Sequence, residues 1–278
     1  MRVPIHLALL LFVSAGSAAF AQTPVVSAGG VVNAASSDKT GQPVAPGSLV
    51  SIYGSNLVSA TASAGSIPLP PDLSGASVTF GSATGPMLST YHGPTYDQLN
   101  VQIPWEAVAF TPPSTTGTVR LVVTRNGVPS APFDFAVTPA SPGIFTFYSG
   151  PGQAVAYGNS DGAIAAPVTA ALPFTSHPAK IGGDPLVILA TGLGPVDHAV
   201  ASGDVPAAGV LARTVTTPTV LVGGVPAGVL FSGLSGFVGV YQINIVIPAG
   251  APVGNAVPLQ IQMNGITSRN DVTIAVSQ

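Results

Sequence analysis

Two stretches of the chain carry the same pattern of amide side chains, and they are the first candidates for chemistry. In YDQLNVQIP the amides are Gln98 and Asn100. In YQINIVIP they are Gln242 and Asn244. A chain that carries one unusual pattern twice has duplicated either a fold or a binding site.

Histidines with aspartate neighbours are the second candidates. His92 lies near Asp97, His198 follows Asp197, and His177 precedes a proline. A carboxylate beside an imidazole orients the ring for catalysis or for metal binding. Neighbouring residues of a strand point to opposite faces, however, and an isolated loop histidine is usually only solvated. We therefore predict no catalytic and no metal-binding histidine.

Carboxylates in loops leave a calcium site open as an alternative. Asp197 and Asp204 lie in one loop, and Asp161 follows Asn159. Oxygen atoms of such loops bind Ca²⁺, but the DxDxDG spacing does not occur. The chain has one glutamate, Glu106, and nothing favours the two facing carboxylates of a glycosidase.

Motifs of nucleophilic and phosphate chemistry are missing. The nearest approach to a GxSxG elbow is GLSG at residues 233–236, which lacks the final glycine and indicates a loop turn. No Gly-Lys-Ser/Thr sequence occurs, and no GxGxxG stands in a βαβ setting. We predict no catalytic residue, no enzyme activity and no cofactor.

Aromatic side chains make up only 6% of the chain. A sugar-binding platform normally uses several exposed rings. Tyr91, His92, Tyr96 and Trp105 are close enough in sequence to cluster at one end of a domain. We expect Trp105 instead to pack under a loop.

The composition excludes several partners. Only 6% of the 278 residues are charged, the formal net charge is −3, and no basic run occurs, so nucleic-acid binding is disfavoured. The chain has no cysteine, which excludes disulfides and thiolate metal sites.

The N-terminus is typical of a signal peptide covering residues 1–21. A positive start, an apolar stretch and the small residues before Gln22 predict cleavage between Ala21 and Gln22. No later apolar run reaches the length needed to span a bilayer, so we expect no membrane span in the mature chain. The protein is therefore predicted to be exported to the periplasm, the cell surface or the medium.

Short apolar runs broken by Gly, Pro or Asn predict an all-β protein made of antiparallel β-sandwiches. The predicted strands of the first half are Leu49–Gly54, Ala76–Phe80, Met87–Tyr91, Gln98–Ile103, Val119–Thr124 and Phe133–Val137. Those of the second half are Leu186–Thr191, Thr219–Val222, Gly228–Phe231, Tyr241–Ile247, Leu259–Met263 and Val272–Val276.

The two halves align with each other. LVSIYGSNL matches PLVILATGL, and SVTFGSATGPML matches TVLVGGVPAGVL. Asn126-Gly127 and Asn264-Gly265 stand at matching places between strands, where a tight hairpin turn needs positive φ. The pattern predicts two tandem immunoglobulin-like domains that arose by duplication.

We place the first domain at residues 25–139 and the second at 140–278. Pro139 and Pro142 form a stiff connector between them. Residues 145–180 have no counterpart in the first half and form an N-terminal extension of the second domain, with a hairpin expected around Asp161-Gly162. Residues 196–217 are expected to be loop-like, with a short helix or none.

The strands that hold the repeated amides each have one core face. Leu99, Val101 and Ile103 are expected to face the core, as are their counterparts Ile243, Ile245 and Ile247.

The amides Gln98, Asn100, Gln242 and Asn244 face the other way. Since Asn is disfavoured within strands, we predict a structural latch in which Asn100 and Asn244 hydrogen-bond to loop backbone over the sheet. The alternative is a shared ligand face.

Several segments resemble known families. VAPGSLVSIYGSNL, SVTFGS, NVQIP and VRLVVTRNGVPSAPFDFAV resemble immunoglobulin-like IPT/TIG domains. From about Val25 onward the chain is also similar to an uncharacterised C-terminal domain family of secreted acidobacterial proteins. That similarity rests on VVNAAS, APGSLVSIYG, NVQIPWE, SPGIF, ATGLGPV and GFVGVYQINIVIPAG. The resemblance implies the fold and secretion but no biochemical role, because one fold hosts many functions.

Two functions follow from these observations. The first is a non-catalytic binding or structural module, secreted or associated with the envelope, whose partner is a protein or a second copy of the chain. The alternative is carbohydrate binding or a role as hydrolase accessory, with a polysaccharide partner.

Overall fold

A computed structural model describes residues 22–38, 41–110 and 116–278. The predicted signal peptide lies outside the described residues, and of its cleavage site only Gln22 lies within them. No helix in the described part of the chain is long and apolar enough to cross a membrane.

The first domain consists of eleven strands and one 3₁₀ helix, Trp105–Ala107. The strands are β1 Val25–Asn33, β2 Leu49–Ser55, β3 Ala62–Ser63, β4 Asp72–Leu73, β5 Ala76–Phe80, β6 Ala83–Thr84, β7 Met87–His92, β8 Asp97–Gln102, β9 Gly117–Arg125, β10 Val128–Pro129 and β11 Phe133–Val137. One sheet has the order β1-β2-β8-β7-β3. The other has the order β10-β9-β5-β4, with β11 on β9 and β6 on β5.

The second domain contains the remaining strands. They are β12 Gly143–Ile144, β13 Gly152–Gln153, β14 Ala156–Gly158, β15 Ile164–Ala165, β16 Ser176–His177, β17 Ala179–Lys180, β18 Leu186–Thr191, β19 Thr219–Val222, β20 Val225–Leu234, β21 Tyr241–Val246, β22 Gly254–Met263, β23 Ile266–Thr267 and β24 Val272–Ser277. The long strand β20 pairs with β19 and β21, and the long strand β22 pairs with β19, β23 and β24. The thirteen strands are thereby connected by hydrogen bonds: ten follow one path, β13-β24-β22-β19-β20-β21-β18-β14-β15-β16, and β12, β17 and β23 pair with strands of this path.

The two domains share one topology. The strand order β2-β8-β7 of the first domain returns as β18-β21-β20, and β5-β9-β11 returns as β19-β22-β24. Each copy also has a bulge at the same point, between Met87 and Ser89 in one and between Val229 and Phe231 in the other. The chain is thus all-β and folds as two tandem immunoglobulin-like sandwiches.

All twelve predicted strands are present, with ends that differ by at most a few residues. The strand β1 was not predicted, because Ser27, Gly29 and Gly30 interrupt its apolar run. It pairs with β2 and contains a register shift at these residues, where Gly29 has a φ of 63°. Residues 196–217 contain no helix, only the isolated bridges that join Val196 to Thr214 and Arg213 to Gly233.

Each domain has its own hydrophobic core. In β8 and β21 the alternate residues Leu99, Val101, Ile243 and Ile245 are fully buried, and this prediction is confirmed. Separate clusters of buried residues run from Val31 to Val137 and from Ala140 to Val276. Burial of this apolar surface is the main favourable term in folding.

The two predicted hairpins turn at the same kind of residue pair. Asn126 and Gly127 have φ values of 49° and 80°, and Asn264 and Gly265 have 49° and 79°. Both pairs connect directly matched strand ends, β9 to β10 and β22 to β23. Positive φ at both central residues is the geometry of a type I′ turn, which suits the twist of antiparallel strands.

Candidate functional site at the interdomain cleft

An apolar cleft of about 780 Å³ lies between the two domains. The first domain contributes Leu49, Ala64, Gly65, Ser66, Ile67, Leu69 and Leu88, and the second contributes Phe145, Thr146, Val155, Leu189, Phe237, Val238 and Val240. No charged side chain lines it, so the cleft offers an uncharged, mostly hydrocarbon surface.

Three residues of the second domain form one adjoining row of the lining. The Phe145 amide donates to the Leu189 carbonyl over 3.0 Å, and the Val155 amide donates to the Phe145 carbonyl over 2.7 Å. The Leu189 amide donates to the Val155 carbonyl over 3.1 Å. Because backbone hydrogen bonds fix this row, its three side chains present a preformed apolar wall.

Two large side chains at this cleft are open to solvent. Ile67 is 52% exposed and Phe237 is 65% exposed. Both sit on loops rather than strands, one from each domain. Large exposed apolar residues beside a cleft are typical of a surface that binds a ligand or another protein.

Thr146 also belongs to the lining. Its Oγ1 atom is buried, and within the described residues it is the one buried side-chain polar atom that has no hydrogen-bond partner. A buried hydroxyl without a partner costs about 1–3 kcal/mol of stability.

A chain of hydrogen bonds fixes the two domains beside the cleft. The Leu49 amide donates to Thr191 Oγ1 over 3.0 Å, and this hydroxyl donates to the Gly239 carbonyl over 2.6 Å. Leu49 also limits the space at Gly239, which has a φ of 68°. The first residue of β2 and the last residue of β18 are thereby held in contact.

A second bridge joins the end of β1 to the connector between the domains. Asn33 Nδ2 donates to the Ser141 carbonyl over 3.0 Å, and Ser141 Oγ donates to the Pro43 carbonyl over 2.6 Å. A Cβ atom at Gly143 would lie 2.4 Å from Asn33 Oδ1, so only glycine fits there. These contacts bring VVNAAS against SPGIF.

A third bridge uses the segment NVQIPWE. Gln102 Oε1 accepts from the Gly203 amide over 2.6 Å, and the Trp105 amide donates to Ser202 Oγ over 3.0 Å. The Trp105 ring packs against the core of the second domain. A Cβ atom at Gly47 would lie 2.2 Å from that ring, so Gly47 makes room for it.

The segments that carry the family resemblance therefore have one structural task in common. Asn33, Gly47, Trp105, Ser141 and Thr191 each come from a different one of these segments and all lie at the interface. They set the relative position of the two domains and hence the shape of the cleft.

The amides Gln98 and Asn100 do not form the latch that we predicted. Asn100 Oδ1 accepts from Ser51 Oγ over 2.7 Å and from Gln98 Nε2 over 2.8 Å. Asn100 Nδ2 donates to Ser89 Oγ over 2.9 Å. The partners are side chains on β2 and β7, so Asn100 ties three strands together rather than holding loop backbone.

The second copy keeps only part of this arrangement. Gln242 Nε2 donates to Asn244 Oδ1 over 2.8 Å, as in the first copy. The residues beside Asn244 are Val187 and Phe231, which occupy the places of the two serines. Neither side chain accepts a hydrogen bond, and in the described part of the chain Asn244 Nδ2 has no partner.

Loop latches of the expected kind do exist, but other residues form them. The buried carboxylate of Asp97 accepts from the Leu57 amide over 2.8 Å. At the matching position Tyr241 donates through its hydroxyl to the Gly194 carbonyl. Both residues hold the loop that follows the neighbouring strand, and burial raises the pKa of Tyr241, which keeps its hydroxyl protonated.

The three described histidines, His92, His177 and His198, each pair with a different aspartate. His92 Nδ1 lies 2.7 Å from Asp97, and His198 Nδ1 lies 2.9 Å from Asp197. His177 Nε2 lies 2.7 Å from Asp161. In the part of the chain that the structure describes, no three His, Asp or Glu residues group together as metal ligands would.

The hydrogen bond between His177 and Asp161 shifts the pKa values of the two side chains in opposite directions. The hydrogen bond from His177 lowers the pKa of Asp161, and the same bond raises the pKa of His177. Asp161 Oδ1 also accepts from the Ala163 amide, in the hairpin of β14 and β15. The pair therefore ties the strand β16 to this hairpin.

The tyrosines cluster without the tryptophan. The ring centroids of Tyr91 and Tyr96 are 5.5 Å apart, and those of Tyr53 and Tyr96 are 5.7 Å apart. The rings are inclined by 42° and 61°, so they do not form a flat platform. Trp105 packs against the second domain instead of joining them.

The cleft itself was not predicted from the sequence. A signal exists in β18, where LVILAT is apolar at consecutive positions and so indicates a strand covered on both faces. Leu189 is one of these residues and lines the cleft. Ile67 and Phe237 lie in loops, where periodicity carries no information.

No family model matches this sequence, and no curated protein matches it. The resemblance to IPT/TIG domains and to the acidobacterial family stays a prediction.

The comparison with solved structures finds distant similarities. One is SGBP-B of the Bacteroides ovatus mixed-linkage glucan utilization locus, whose structure was solved in complex with a mixed-linkage heptasaccharide. The two sequences are 14% identical, and the TM-score is 0.32. The alignment covers 86% of this chain and 44% of that chain. Two domains of titin, A168 and A169, show 10% identity, a TM-score of 0.23, and coverage of 92% of this chain and 100% of that one. Domains 5–6 of the S-layer protein SbsC show 14% identity, a TM-score of 0.21, and coverage of 91% and 98%. These superpositions are loose, and the fold assignment rests on the strand pairing described above.

Proposed function

We propose that this protein is an exported, non-catalytic binding module and that the interdomain cleft is its ligand site. The observation that carries the proposal is the apolar cleft of about 780 Å³ built jointly by both domains. Its volume is within the range of about 300–1,000 Å³ that small-molecule sites occupy, and such sites prefer domain interfaces.

The lining favours the hydrocarbon chain of a lipid-like amphiphile. The wall of Phe145, Val155 and Leu189 provides only apolar contacts, and no charged group is present to bind a headgroup. Ile67 and Phe237, both exposed, can cover part of a bound chain. Because the cleft is open to water on one side, the polar end of the ligand remains solvated.

Hydrogen bonds at the interface support a preformed site. Leu49, Thr191 and Gly239 are joined beside the cleft, so the domains need no rearrangement to make it. A site that exists before binding avoids part of the ordering cost of association.

The proposal that the module is non-catalytic rests on the separation of its titratable groups. Among the described residues each histidine pairs with one aspartate in a different part of the fold, and none of these residues lines the cleft. A general acid or base would have to lie within hydrogen-bond reach of the bound ligand.

Binding of 11-(dansylamino)undecanoic acid to the purified protein tests the proposal. The duplication provides a matched pair of variants, because Leu88 lines the cleft while Leu230, at the same bulge of the second domain, is 57% exposed and lies outside it. We expect Leu88→Asn to weaken binding about 10-fold or more, since burying one leucine is worth about 1.5–3 kcal/mol. Leu230→Asn should leave the affinity unchanged.

A second control uses the unpartnered hydroxyl. Thr146→Val keeps the size of the side chain and removes the orphaned Oγ1, so it should retain binding and raise the free energy of unfolding by about 1 kcal/mol. Equal loss of binding in Leu88→Asn and Leu230→Asn would overturn the proposal.

Sedimentation separates the other partners considered. A ligand site in the cleft predicts that the probe binds without changing the oligomeric state of the protein. Concentration-dependent dimers that exclude the probe would show that a second copy of the chain occupies the cleft, and the lipid-like ligand would be wrong.

The alternative function, carbohydrate binding, finds no support in the cleft, because a polysaccharide needs polar partners for its hydroxyl groups.

A further inference from the structure

A second pocket lies over the repeated amides of the second domain. Its volume is about 440 Å³. The lining consists of residues 206–211 together with Phe231, Leu234, Ser235, Gly236, Gln242 and Asn244. It does not overlap the cleft, and no charged side chain lines it.

The duplicated strands diverged around the same amide, and in the second copy this amide lies in the pocket lining. In the first copy Ser51 and Ser89 use both polar atoms of Asn100. In the second copy Val187 and Phe231 take their register positions, and the Asn244 amide keeps a donor that no described residue uses. The two replacements leave the donor free, and one of them, Phe231, also lines the pocket.

The polar groups are held in place before any ligand arrives. Gln242 Nε2 donates to Asn244 Oδ1 over 2.8 Å, which orients Asn244 Nδ2 and leaves Gln242 Oε1 to accept. The backbone of Leu234 donates to the Ala212 carbonyl over 2.8 Å, which ties the loop before residue 213 to the end of β20. One donor and one acceptor thus stand side by side on a strand.

An aromatic ring adjoins these amides. Phe231 is half-buried in the lining, and the Arg213 guanidinium lies 5.0 Å from the centre of its ring, a cation–π contact that restrains the ring. The remaining side chains of the lining are apolar except Ser235, and Val210 and Leu211 are exposed on the covering loop.

We propose that this pocket binds a neutral saccharide. A sugar ring has apolar C–H groups for contact with Phe231 and hydroxyl groups that both accept from Asn244 Nδ2 and donate to Gln242 Oε1. The described lining holds no charged side chain that would form an ion pair with a carboxylate, a phosphate or an amine, so it favours an uncharged ligand. The site is independent of the cleft, so each can fail without the other.

An array of neutral oligosaccharides, with uronate and sialylated glycans for comparison, tests the proposal on the purified protein. We expect neutral glycans to bind. Asn244→Asp removes the Nδ2 donor but keeps the oxygen that accepts from Gln242, and it should weaken binding about 10-fold or more, because a site built around a hydrogen bond loses heavily without it. Phe231→Leu should weaken binding by about 3- to 10-fold through loss of the ring contact.

Matched controls come from the first copy and from the surface. Asn100→Asp makes the same change at the matching position and should leave glycan binding unchanged. If that variant fails to fold, Asn255→Asp replaces it, since Asn255 is exposed on β22 and lies outside the pocket.

Three results would overturn the proposal. One is an array without signal when circular dichroism shows a folded protein. Another is equal affinity in Asn244→Asp and Asn255→Asp. The third is a preference for uronate glycans, which would indicate an anion site at Arg213 instead.

Discussion

The strands β8 and β21 carry the same Gln-x-Asn pattern, yet they differ in what surrounds it. In β8 the amide of Asn100 is saturated by serines of the neighbouring strands. In β21 the amide of Asn244 stands beside Val187 and Phe231 and opens into a pocket. After a duplication, core positions stay constrained by packing, whereas residues on the outer face of a sheet are free to diverge.

The ends of these strands differ in the same way. Both end at an Ile-Pro pair, after which the first copy has Trp105 and the second has Ala249. Trp105 packs against the core of the other domain, while Ala249 is exposed. One copy of the motif therefore became part of the domain interface and the other remained a surface turn.

The largest expected effect is at this pair of positions. Trp105→Ala should lower the free energy of unfolding by about 3 kcal/mol, since it removes a large ring from the interface and leaves a cavity beside Gly47. Urea unfolding followed by circular dichroism measures the change. Ala249→Trp serves as the control and should change stability by less than about 0.5 kcal/mol. Similar losses in both variants would contradict an interface role specific to Trp105.

The second largest effect is expected at the repeated asparagines, Asn100 and Asn244, whose replacement should lower the free energy of unfolding by different amounts. Asn100→Ala removes three side-chain hydrogen bonds, to Ser51, Ser89 and Gln98, of which Ser51 and Gln98 keep the bond to each other, and we expect a loss of about 2 kcal/mol. Asn244→Ala removes a single hydrogen bond and should cost about 1 kcal/mol or less. The same unfolding measurement compares them. Equal costs would show that the serines contribute nothing.

Replacing the glycine of either hairpin turn should lower the free energy of unfolding by the same amount. Gly127→Ala and Gly265→Ala each place a side chain at positive φ, in space that is otherwise open. Since only backbone strain is added, each variant should lose about 1 kcal/mol. Unfolding midpoints measured side by side check this prediction. A difference above about 0.5 kcal/mol would mean that the two turns are not equivalent.

The smallest expected effect concerns the pair of His177 and Asp161, which lies in the extension of the second domain that has no counterpart in the first. The raised pKa of His177 and the lowered pKa of Asp161 mean that their bond stabilises the fold fully between about pH 4 and pH 6.5. This contribution is lost as the pH rises through the raised pKa of His177 and as it falls through the lowered pKa of Asp161. Both side chains are about half-exposed, so the change in stability should be slight.

An NMR titration of the histidine ring checks the pair directly. Asp161→Asn should bring the pKa of His177 down toward its ordinary value. An unchanged titration would show that the carboxylate does not act on the ring.

Much of the fold was readable before the structure. Alternating apolar residues predicted the twelve principal strands, and the core faces of β8 and β21 follow from their period of two. The strand β1 was not predicted, because its glycines interrupt the alternation of apolar and polar residues. The latch prediction failed for Asn100 and Asn244, since side-chain partners on adjacent strands depend on register, which a single strand does not reveal.

The sequence by itself determined the all-β class and the duplicated topology, because periodicity, turn residues and internal repetition are local properties of the chain. Only the tertiary structure decided that Leu49, Leu88 and Leu189 line one cleft. It likewise decided that Asn244 faces a pocket while Asn100 does not. These outcomes depend on how the two sandwiches are placed against each other and on strand register, and long-range contacts of that kind are not encoded in any short segment.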